Sequence, residues 1–367
     1  MNNVSVIGVG RIGLCFCLSL ERAGYNVVGC DINQDYVDAI NNKTFVSHEP
    51  GVNERLAVSE RFLATTDISK AVDHARVIFV LVRTTSEPDG RYNVSQVESV
   101  VNSLIKMGTQ EKEKHFVLSS NVNPGYSDWV AAALRPHNWV VTYNPEMIAQ
   151  GTFMKNQAYP DCIYIGTDDE EPANEIEEIY NNMCLNEPKI FKNSRLETEL
   201  TKVSLNCLLT VKISYANMVG DLAVKMGADP HKVLSAVAGD GRTNPKYLGY
   251  GYGFGGPCFP RDTRAFIRCC ELNKVSADMC RAANSINSKH LDFQVQDYMN
   301  KNDKNKEVQL DGVTYKKGVT SIEESQQLIY AVRLAENGYS VTINETKPVV
   351  EEIKKTYGNL FKYTIRQ

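Results

Sequence analysis

The sequence lacks the cysteine spacings of a zinc site or of a disulfide framework. None of its ten cysteines forms a Cys-x-x-Cys pair, and no His/Cys ligand spacing is present. They occur singly within apolar runs, as Cys15, Cys17 and Cys207 do, or side by side, as Cys269 and Cys270 do. Structural zinc sites and disulfide-stapled domains both need recurring pairs. We therefore expect no metal, and reduced thiols of the kind found in the cytoplasm.

A surplus of positive charge and a long apolar run are also missing. The 40 basic and 44 acidic residues leave a net charge of −4, which provides no basic surface for nucleic acid. No apolar run has the length of a membrane span, and the chain begins with a short strand, so neither a membrane partner nor a signal peptide is expected. A length of 367 residues with 43% hydrophobic content predicts two or three globular domains.

A glycine-rich loop near the N-terminus has the spacing of a dinucleotide-binding site. An apolar strand over 4–7 precedes Gly-x-Gly-x-x-Gly, a helix over 14–22 follows, and a strand over 25–29 leads to Asp31. The glycines let the backbone approach a pyrophosphate at the helix N-terminus, and a carboxylate at this distance binds the ribose hydroxyls of NAD. The residues predicted to bind NAD here are Gly8, Val9, Gly10, Arg11, Ile12, Gly13 and Asp31.

Further apolar strands alternate with helical segments. The strands are predicted over 77–82, 116–119, 139–142 and 162–165, and the clearest helix over 94–107. This alternation predicts an α/β fold with a Rossmann-like, doubly wound and mostly parallel sheet. Ligands of such sheets lie at the carboxyl ends of the strands, where Thr84, Asn121 and Glu146 occur. We expect these side chains on the rim of a site.

The middle of the chain predicts one long buried helix. Ser194 and Glu197 form a capping box, and no proline interrupts residues 194–226, whose apolar side chains cover more than one face. Such a helix is expected to link two domains and to supply a dimer interface. Lys202 and Asn206 lie one turn apart and therefore on one face. From the residues alone, a ligand-binding pair and a lysine that extends to water fit equally well.

Cys258 follows a segment too rich in glycine for regular structure. Residues 249–256 read Gly-Tyr-Gly-Tyr-Gly-Phe-Gly-Gly, and a helix is predicted to begin near Asp262. A thiol at a helix N-terminus is stabilised as the thiolate and is a stronger nucleophile. A small buried cysteine is the ordinary alternative, but packing does not require cysteine between Gly-Gly-Pro and Phe-Pro. We therefore interpret Cys258 as a nucleophile.

Together these motifs resemble those of the UDP-glucose/GDP-mannose dehydrogenases over about residues 4–327. The similar segments, in family order, are Gly8–Gly13, Glu49–Gly51, Asn123–Gly125, Tyr143–Gly151, Glu199–Asn206, Asp240–Arg242 and Gly253–Asp262, with Gly312–Lys316 and Ile322–Ser325 in a weaker tail. The most specific match is Gly-Phe-Gly-Gly-Pro-Cys-Phe-Pro-Arg-Asp, which contains Cys258.

The resemblance implies a four-electron oxidation of the C6 alcohol of a nucleotide sugar by two NAD, most favourably UDP-glucose to UDP-glucuronate. In this chemistry a cysteine captures the aldehyde as a thiohemiacetal, which becomes a thioester and is hydrolysed. The catalytic residues implied are Cys258, Lys202, Asn206, Asp262 and Glu146, and Thr84 and Asn121 join the cofactor site. The substrate-binding residues implied are Gln150, Lys202, Asn206, Arg242, Lys246, Tyr247, Tyr250, Gly255 and Lys316. Arg242 is expected to reach across the interface of a homodimer.

Several positions depart from the family pattern. Asn121 replaces the usual Thr, Gln150 stands where many members have Glu, and Glu323 replaces an Arg. Asp311 is expected to interrupt a buried strand. The chain ends soon after a helix predicted over 328–337 and a strand over 339–344, so we expect a shortened C-terminal α/β domain.

Three domains are therefore expected. Residues 1–193 form the NAD-binding Rossmann-like domain, 194–290 a central helical dimerisation domain with the cysteine loop, and 291–367 the shortened nucleotide-sugar-binding domain. Three other functions stay open: the same reaction on a UDP-HexNAc or GDP-mannose, a two-electron hydroxyacid-type dehydrogenase, and a non-catalytic protein that binds NAD and nucleotide sugar. A cytoplasmic homodimer that acts in polysaccharide biosynthesis is expected from the family.

Overall fold

The computed structural model describes residues 2–366. The chain divides into two compact units, which separate between Lys202 and Val203. This boundary falls within one long helix, whose first part belongs to the N-terminal unit and whose remainder belongs to the C-terminal unit. The three-domain division stays a prediction.

The N-terminal unit is built on an eight-stranded sheet with the strand order β10-β9-β8-β7-β4-β1-β2-β3. The strands are β1 (Asn3–Ile7), β2 (Asn26–Cys30), β3 (Phe62–Thr65), β4 (Val77–Val80), β7 (Lys114–Leu118), β8 (Trp139–Tyr143), β9 (Cys162–Gly166) and β10 (Lys189–Asn193), and a separate antiparallel pair is formed by β5 (Thr85–Ser86) and β6 (Tyr92–Asn93). Neighbouring strands of the large sheet are parallel except β8 and β9. The predicted strands and the mostly parallel sheet are confirmed.

Helices cover both faces of this sheet. They are α1 (Arg11–Arg22), α2 (Gln34–Asn41), α3 (Val52–Ala57), α4 (Ile68–His74), α5 (Ser95–Lys106), α6 (Tyr126–Leu134), α7 (Phe153–Ala158) and α8 (Glu170–Met183). Apolar residues of α1 and α8 form the core on one face, and those of α4, α5 and α6 form it on the other. The Phe16 ring of α1 meets the Phe79 ring of β4 edge to face at 4.8 Å. Burial on both faces explains why the strands are continuous apolar runs.

The order of the strands reverses between β1 and β4. The chain passes from β1 to β2 on one side and returns to β4 on the other. The carboxyl ends of two such strands leave a crevice that ligands of doubly wound sheets occupy. The loop Gly8–Gly13 follows β1, and residues 81–84 follow β4. The sequence thus places the glycine loop at the switch point of the sheet.

The C-terminal unit contains four helices followed by a small parallel sheet. The helices are α9 (Arg195–Lys225, from Val203 onward), α10 (Pro230–Ala238), α11 (Phe259–Leu272) and α12 (Asp278–Lys301). The sheet has the order β11-β12-β13 and consists of β11 (Val308–Asp311), β12 (Val341–Glu345) and β13 (Lys362–Ile365), connected by α13 (Gln326–Glu336) and α14 (Lys347–Tyr357). Side chains of α12, α13, α14 and the strands share one apolar core.

Two local expectations for the C-terminal unit are wrong. Helix α11 begins at Phe259 rather than near Asp262, because Pro260 suits the first turn of a helix and starts it early. Asp311 does not interrupt a strand but ends β11, where its carboxylate accepts from the Asn344 side chain at 2.9 Å. The capping box is confirmed, since the Glu197 carboxylate accepts from the Ser194 amide at 2.8 Å and Ser194 Oγ accepts from the Glu197 amide at 3.3 Å.

Helix α9 has the length and composition of a membrane span, against the expectation from the sequence. Its most apolar 18-residue window has a mean hydropathy of 1.2. Length and composition alone do not separate a membrane span from a core helix, and 39% of this window is buried in the structure. Polar side chains of α9 bond to other elements of each unit. Glu199 accepts from the Gly125 amide at 2.5 Å, and Ser214 donates to the Ala283 carbonyl at 2.9 Å.

Candidate active site

The three glycines of the N-terminal loop serve different purposes. A Cβ at Gly8, which has φ +92°, would lie 2.7 Å from the Leu81 carbonyl oxygen, and one at Gly13 would lie 1.9 Å from the Gly8 carbonyl oxygen. No protein atom lies within 4 Å of the position that a Cβ on Gly10 would occupy. Gly8 and Gly13 are therefore required by the fold itself. The open space at Gly10 is what close approach of a pyrophosphate needs.

Asp31 lies directly after β2, beside the glycine loop. Its carboxylate accepts from the Val9 amide and from the Asn33 amide, each at 3.1 Å. These bonds hold an acceptor at the position from which the ribose hydroxyls of a dinucleotide are bound. Arg11 begins α1 and is exposed, whereas Ile12 packs against the core. The residues present fit NAD.

The rim beyond the glycine loop contains a buried hydroxyl with no partner among residues 2–366. Ser119 Oγ is buried at the end of β7 and forms no hydrogen bond there. Thr84 is buried after β4, and Asn121 is partly buried two residues after Ser119. An orphaned hydroxyl between these two predicted cofactor residues is available to a bound ligand.

Glu146 lies on the loop after β8, in a network that the sequence did not reveal. The Tyr180 hydroxyl, from α8, donates to Asn144 Oδ1 at 2.8 Å and lies 3.4 Å from Glu146 Oε1. Burial raises the pKa of the Glu146 carboxyl to about 7, although the Lys202 ammonium lowers it. A carboxyl with this pKa can both accept and return a proton near neutral pH.

Lys202 is buried rather than extended to water. Its side chain nitrogen donates to the Glu146 carbonyl oxygen at 2.7 Å, and the residue is only 8% exposed. The alternative of a lysine that reaches solvent along the helix is therefore excluded. The geometry instead keeps a cation beside the loop that contains Glu146 and Gln150.

Two further carboxylates anchor this part of the N-terminal unit, and their roles were missed in the sequence. Glu49 accepts from the amides of Gly151 at 2.9 Å and Phe153 at 2.5 Å. Glu199 accepts from the amides of Gly125 at 2.5 Å and Ser127 at 2.8 Å, at the start of α6. Their presence in short motifs was the only signal, since both act on backbone amides far away in sequence. They hold the loop of Gln150 and the first turn of α6.

In the C-terminal unit, Cys258 is the N-cap of α11 and is exposed. The thiol thus stands where a helix dipole favours negative charge, as predicted. One turn further, the Asp262 carboxylate is completely buried and accepts from Asn206 Nδ2 at 2.5 Å and from Arg261 Nε at 3.0 Å. The first turn of α11 therefore contains an accessible thiol and a buried carboxylate that accepts two hydrogen bonds.

The glycines before Cys258 are required by close packing. A Cβ on Gly255 would lie 2.2 Å from the Glu324 carbonyl oxygen, and one on Gly256 would lie 2.4 Å from the Tyr315 ring. The Gly256 amide donates to the Glu323 carbonyl oxygen at 3.0 Å. Glu323, which stands where the family has a cation, thus supports the cysteine loop through its backbone.

The remaining predicted substrate residues occupy the surface of the C-terminal unit. The Arg242 side chain is 89% exposed and pairs with Asp240 at 2.7 Å. Tyr247 has φ 67° and its ring meets the Phe259 ring at 6.1 Å. Lys246 is exposed, and the Lys316 carbonyl accepts from Thr314. Reach of Arg242 across an interface stays a prediction.

Each unit thus has distinct chemical capabilities. The N-terminal unit offers a dinucleotide loop and a carboxyl with a pKa near neutrality, whereas the C-terminal unit offers an exposed thiol at a helix start and an Asn206–Asp262 hydrogen bond. Over residues 2–366 no group of three or more His, Cys, Asp or Glu side chains is arranged to hold a metal ion.

Comparison with protein families gives two matches that together cover most of the chain. The NAD binding domain of the UDP-glucose/GDP-mannose dehydrogenase family matches residues 2–184, and the central domain of the same family matches residues 196–289.

Individual relatives are similar over nearly the whole chain. The UDP-glucose 6-dehydrogenase YwqF of Bacillus subtilis is 27% identical over 91% of this chain and 77% of its own length. The GDP-mannose 6-dehydrogenase of Pseudomonas aeruginosa is 28% identical over 93% of this chain and 80% of its own length. Among solved structures, a UDP-glucose dehydrogenase from Pyrobaculum islandicum matches with a TM-score of 0.91 and 29% identity, over 100% of this chain and 86% of that one.

Proposed function

Because the chain belongs to the UDP-glucose/GDP-mannose dehydrogenase family, we propose that it oxidises UDP-glucose at C6 to UDP-glucuronate through a covalent intermediate on Cys258. Its cofactor is NAD, and its reaction class is that of the nucleotide-sugar 6-dehydrogenases. What we propose is that the sugar is UDP-glucose and that Cys258 forms the covalent intermediate.

A difference between two solved relatives supports UDP-glucose as the substrate. The UDP-glucose dehydrogenase of Pyrobaculum islandicum has a TM-score of 0.91 at 29% identity, whereas the GDP-mannose dehydrogenase of Pseudomonas aeruginosa has a TM-score of 0.62 at 25% identity. Curated relatives of both kinds are about equally identical in sequence. The structural similarity is therefore the feature that favours UDP-glucose.

The single observation that favours a four-electron over a two-electron reaction is the exposed thiol of Cys258 at the first turn of α11. A two-electron dehydrogenase has no need of a nucleophile. NAD, when bound, would supply the hydride acceptor for both oxidation steps. Gly8, Gly10, Gly13 and Asp31 would hold it.

The covalent steps of the proposed reaction take place on the Cys258 sulfur. The Cys258 thiolate adds to the aldehyde carbon, and the carbonyl oxygen takes a proton to complete the thiohemiacetal. Loss of hydride from that carbon and of the hydroxyl proton leaves a thioester. Water adds to the thioester carbonyl, the C–S bond breaks, and the thiolate and carboxylate are released. One sugar alcohol, one water and two NAD+ thus yield one carboxylate, two NADH and three protons, and the Cys258 thiolate is regenerated.

The other predicted catalytic residues support these steps. Lys202 would stabilise the oxyanions that form on addition to the carbonyl carbon. Asn206 and Asp262 would orient water and charge around the thiol. Glu146 would exchange protons, since burial raises its pKa to about 7. Asn121 takes the place of the family Thr at the strand end, so that an amide rather than a hydroxyl would contact water or cofactor there.

Substrate binding is assigned to the C-terminal part of the chain. We assign residues 1–193 to NAD, 194–290 to dimerisation and catalysis, and 291–367 to the nucleotide sugar. The substrate contacts proposed are Gln150, Lys202, Asn206, Arg242, Lys246, Tyr247, Tyr250, Gly255 and Lys316. A cytoplasmic location and a part in polysaccharide biosynthesis are proposed from the relatives.

An apolar stripe on α9 supports the proposed homodimer. We call it the α9 stripe; its members, all exposed by more than a third, are Leu208, Tyr215, Met218 and Leu222 of α9 and Met226 in the turn directly after it. They repeat at three, four and seven residues and therefore share one side of the helix. A continuous exposed apolar stripe is a feature of an interface between proteins, and a second copy of the chain is the partner that the dimer proposal requires.

A substrate panel with product counting tests the function. UDP-glucose, UDP-GlcNAc, UDP-ManNAc, GDP-mannose and TDP-glucose are each incubated with NAD, and NADH is measured per sugar consumed. Two NADH and UDP-glucuronate are expected from UDP-glucose. One NADH per sugar would indicate a two-electron enzyme, and binding without turnover a non-catalytic protein. Cys258→Ser should retain NAD binding and form no acid; full turnover would rule out the covalent mechanism.

A further inference from the structure

The glycine-rich segment before Cys258 is held by side chains from two helices of the same unit. Asn217 of α9 accepts from the Gly251 amide at 3.1 Å. Asn287 of α12 accepts from the Phe254 amide at 2.8 Å and donates to the Phe254 carbonyl at 3.0 Å. Both asparagines are buried. A segment without regular structure thus has its backbone bonds supplied by buried side chains.

A buried histidine–aspartate pair completes this arrangement. The His290 side chain is completely buried; its Nδ1 lies 2.9 Å from both oxygens of the Asp221 carboxylate, and its Nε2 lies 2.6 Å from the Gly251 carbonyl oxygen. Both ring nitrogens therefore lie at hydrogen-bond distance from oxygen atoms, one set on α9 and one in the glycine-rich segment. His290 thus connects α9 to the backbone of that segment.

The same carboxylate also fixes the neighbouring tyrosine. The Tyr250 hydroxyl donates to Asp221 Oδ1 at 3.0 Å. Its ring lies against α9 at Gly220, where a Cβ would come within 2.0 Å of it. Asp221 and His290 therefore fix the positions of the Tyr250 ring and of the Gly251 carbonyl group.

We propose that Asp221 and His290 are positioning residues: a hydrogen-bonded clamp that sets the conformation of residues 249–255 and thereby the affinity for the nucleotide sugar. The inference rests on the proposed function, in which this segment contacts the substrate. Asp221 and His290 belong to the C-terminal unit, whereas the glycine loop and Asp31 belong to the N-terminal unit. Loss of the clamp should therefore weaken sugar binding and leave NAD binding intact.

The test compares His290→Gln with Lys289→Gln, an exposed neighbour on the same helix. Glutamine offers one amide nitrogen in place of the two ring nitrogens that face Asp221 and Gly251. The KM for UDP-glucose should rise about tenfold or more in H290Q, as loss of a hydrogen bond to a charged group predicts, while kcat and the KM for NAD change less than about threefold. K289Q should match the unmodified protein. The clamp would be overturned if H290Q raised the KM for UDP-glucose and the KM for NAD equally, or if it left the KM for UDP-glucose unchanged.

The conservative variant Asp221→Asn separates positioning from mere stability. Its amide can donate to Nδ1 of a neutral ring whose Nε2–H still bonds to Gly251. D221N should therefore keep the KM for UDP-glucose within about threefold, as a retained hydrogen bond predicts. A loss as large as that of H290Q would contradict the proposed arrangement of bonds.

Hydrogen exchange tests independently of turnover whether the clamp holds the backbone of residues 249–256. Amides in 249–256 should exchange about tenfold faster or more in H290Q, because the Gly251 anchor is lost, and those of α13 should be unchanged. If the unmodified protein does not oxidise UDP-glucose, the proposed function fails, yet the exchange result still supports or overturns the clamp. Should H290Q not fold, Tyr250→Phe removes one bond to Asp221 and should accelerate exchange in the same segment; unchanged exchange would overturn the clamp.

Discussion

The side-chain nitrogen of Lys202 donates a hydrogen bond of 2.7 Å to the backbone carbonyl of Glu146, which lies 56 residues away in sequence. The bond joins the buried face of α9 to the loop after β8 within the N-terminal unit. It also places a cation close enough to influence the Glu146 carboxyl, which burial alone would make still harder to ionise. The two residues are therefore coupled both sterically and electrostatically.

Removing this cation should affect rate and pH dependence together. Lys202→Met should lower kcat about 10²- to 10³-fold, because the charge that stabilises a developing oxyanion is lost. The pKa of Glu146 should rise further above 7, since the ammonium that lowers it is absent. Measured kcat against pH should show the acidic limb displaced to higher pH. Lys225→Met, an exposed site on the same helix, is the control; an unchanged pH profile in K202M would contradict the coupling.

Glu146 should make the N-terminal unit less stable as pH rises. Its pKa is about 7 in the folded protein and near 4.5 when unfolded, so between these values the folded state binds more protons. The free energy of unfolding therefore falls as pH increases from 4.5 to 7, by about 2–3 kcal/mol in total. Urea unfolding at pH 5 and pH 8 measures this, and Trp129 and Trp139 report on this unit alone. Glu146→Gln should lose this contribution; the same pH dependence in both proteins would disprove the assignment.

The glycine loop offers a matched pair of alanine substitutions. Gly10→Ala should leave the free energy of unfolding within about 1 kcal/mol, because nothing lies within 4 Å of the added Cβ and φ is −64°. It should nevertheless weaken NAD binding about tenfold or more, since the methyl group occupies the pyrophosphate position. Gly13→Ala should instead destabilise the fold by about 2 kcal/mol or more, because its Cβ would lie 1.9 Å from the Gly8 carbonyl oxygen. Thermal unfolding and NAD titration separate the two; unaltered NAD affinity in G10A would contradict this prediction.

The α9 stripe should control association. Leu222→Asp places a charge in the middle of the stripe and should convert a dimer to a monomer, as measured by sedimentation or light scattering. Leu272→Asp is the control, because Leu272 is 56% exposed and Leu222 is 60% exposed, but Leu272 lies on another helix. If both variants or neither dissociated, the stripe would not be the interface.

Much of the fold could be predicted because its signals are local. The strand, glycine loop, helix and Asp31 follow one another within 31 residues, and apolar runs identify β4, β7, β8 and β9. The edge strands β3 and β10 are not predicted, and β10 lacks the apolar run that marks a buried strand. The sequence places the start of α11 too late, because a proline suits a loop as well as the first turn of a helix. Cys258, Lys202 and Asn206 stand out since each is an unusual residue for its surroundings.

The sequence by itself determined that a dinucleotide loop, a thiol at a helix start and a lysine–asparagine pair exist, because those features depend on spacing along a few turns of chain. Only the tertiary structure decided which glycine faces open space, how Glu49 and Glu199 anchor distant amides, why the Glu146 carboxyl has a pKa of about 7, and that His290 connects Asp221 to the Gly251 carbonyl. The physical reason is that burial and hydrogen-bond partners come from residues far apart in sequence, and the charge state of a side chain depends on both.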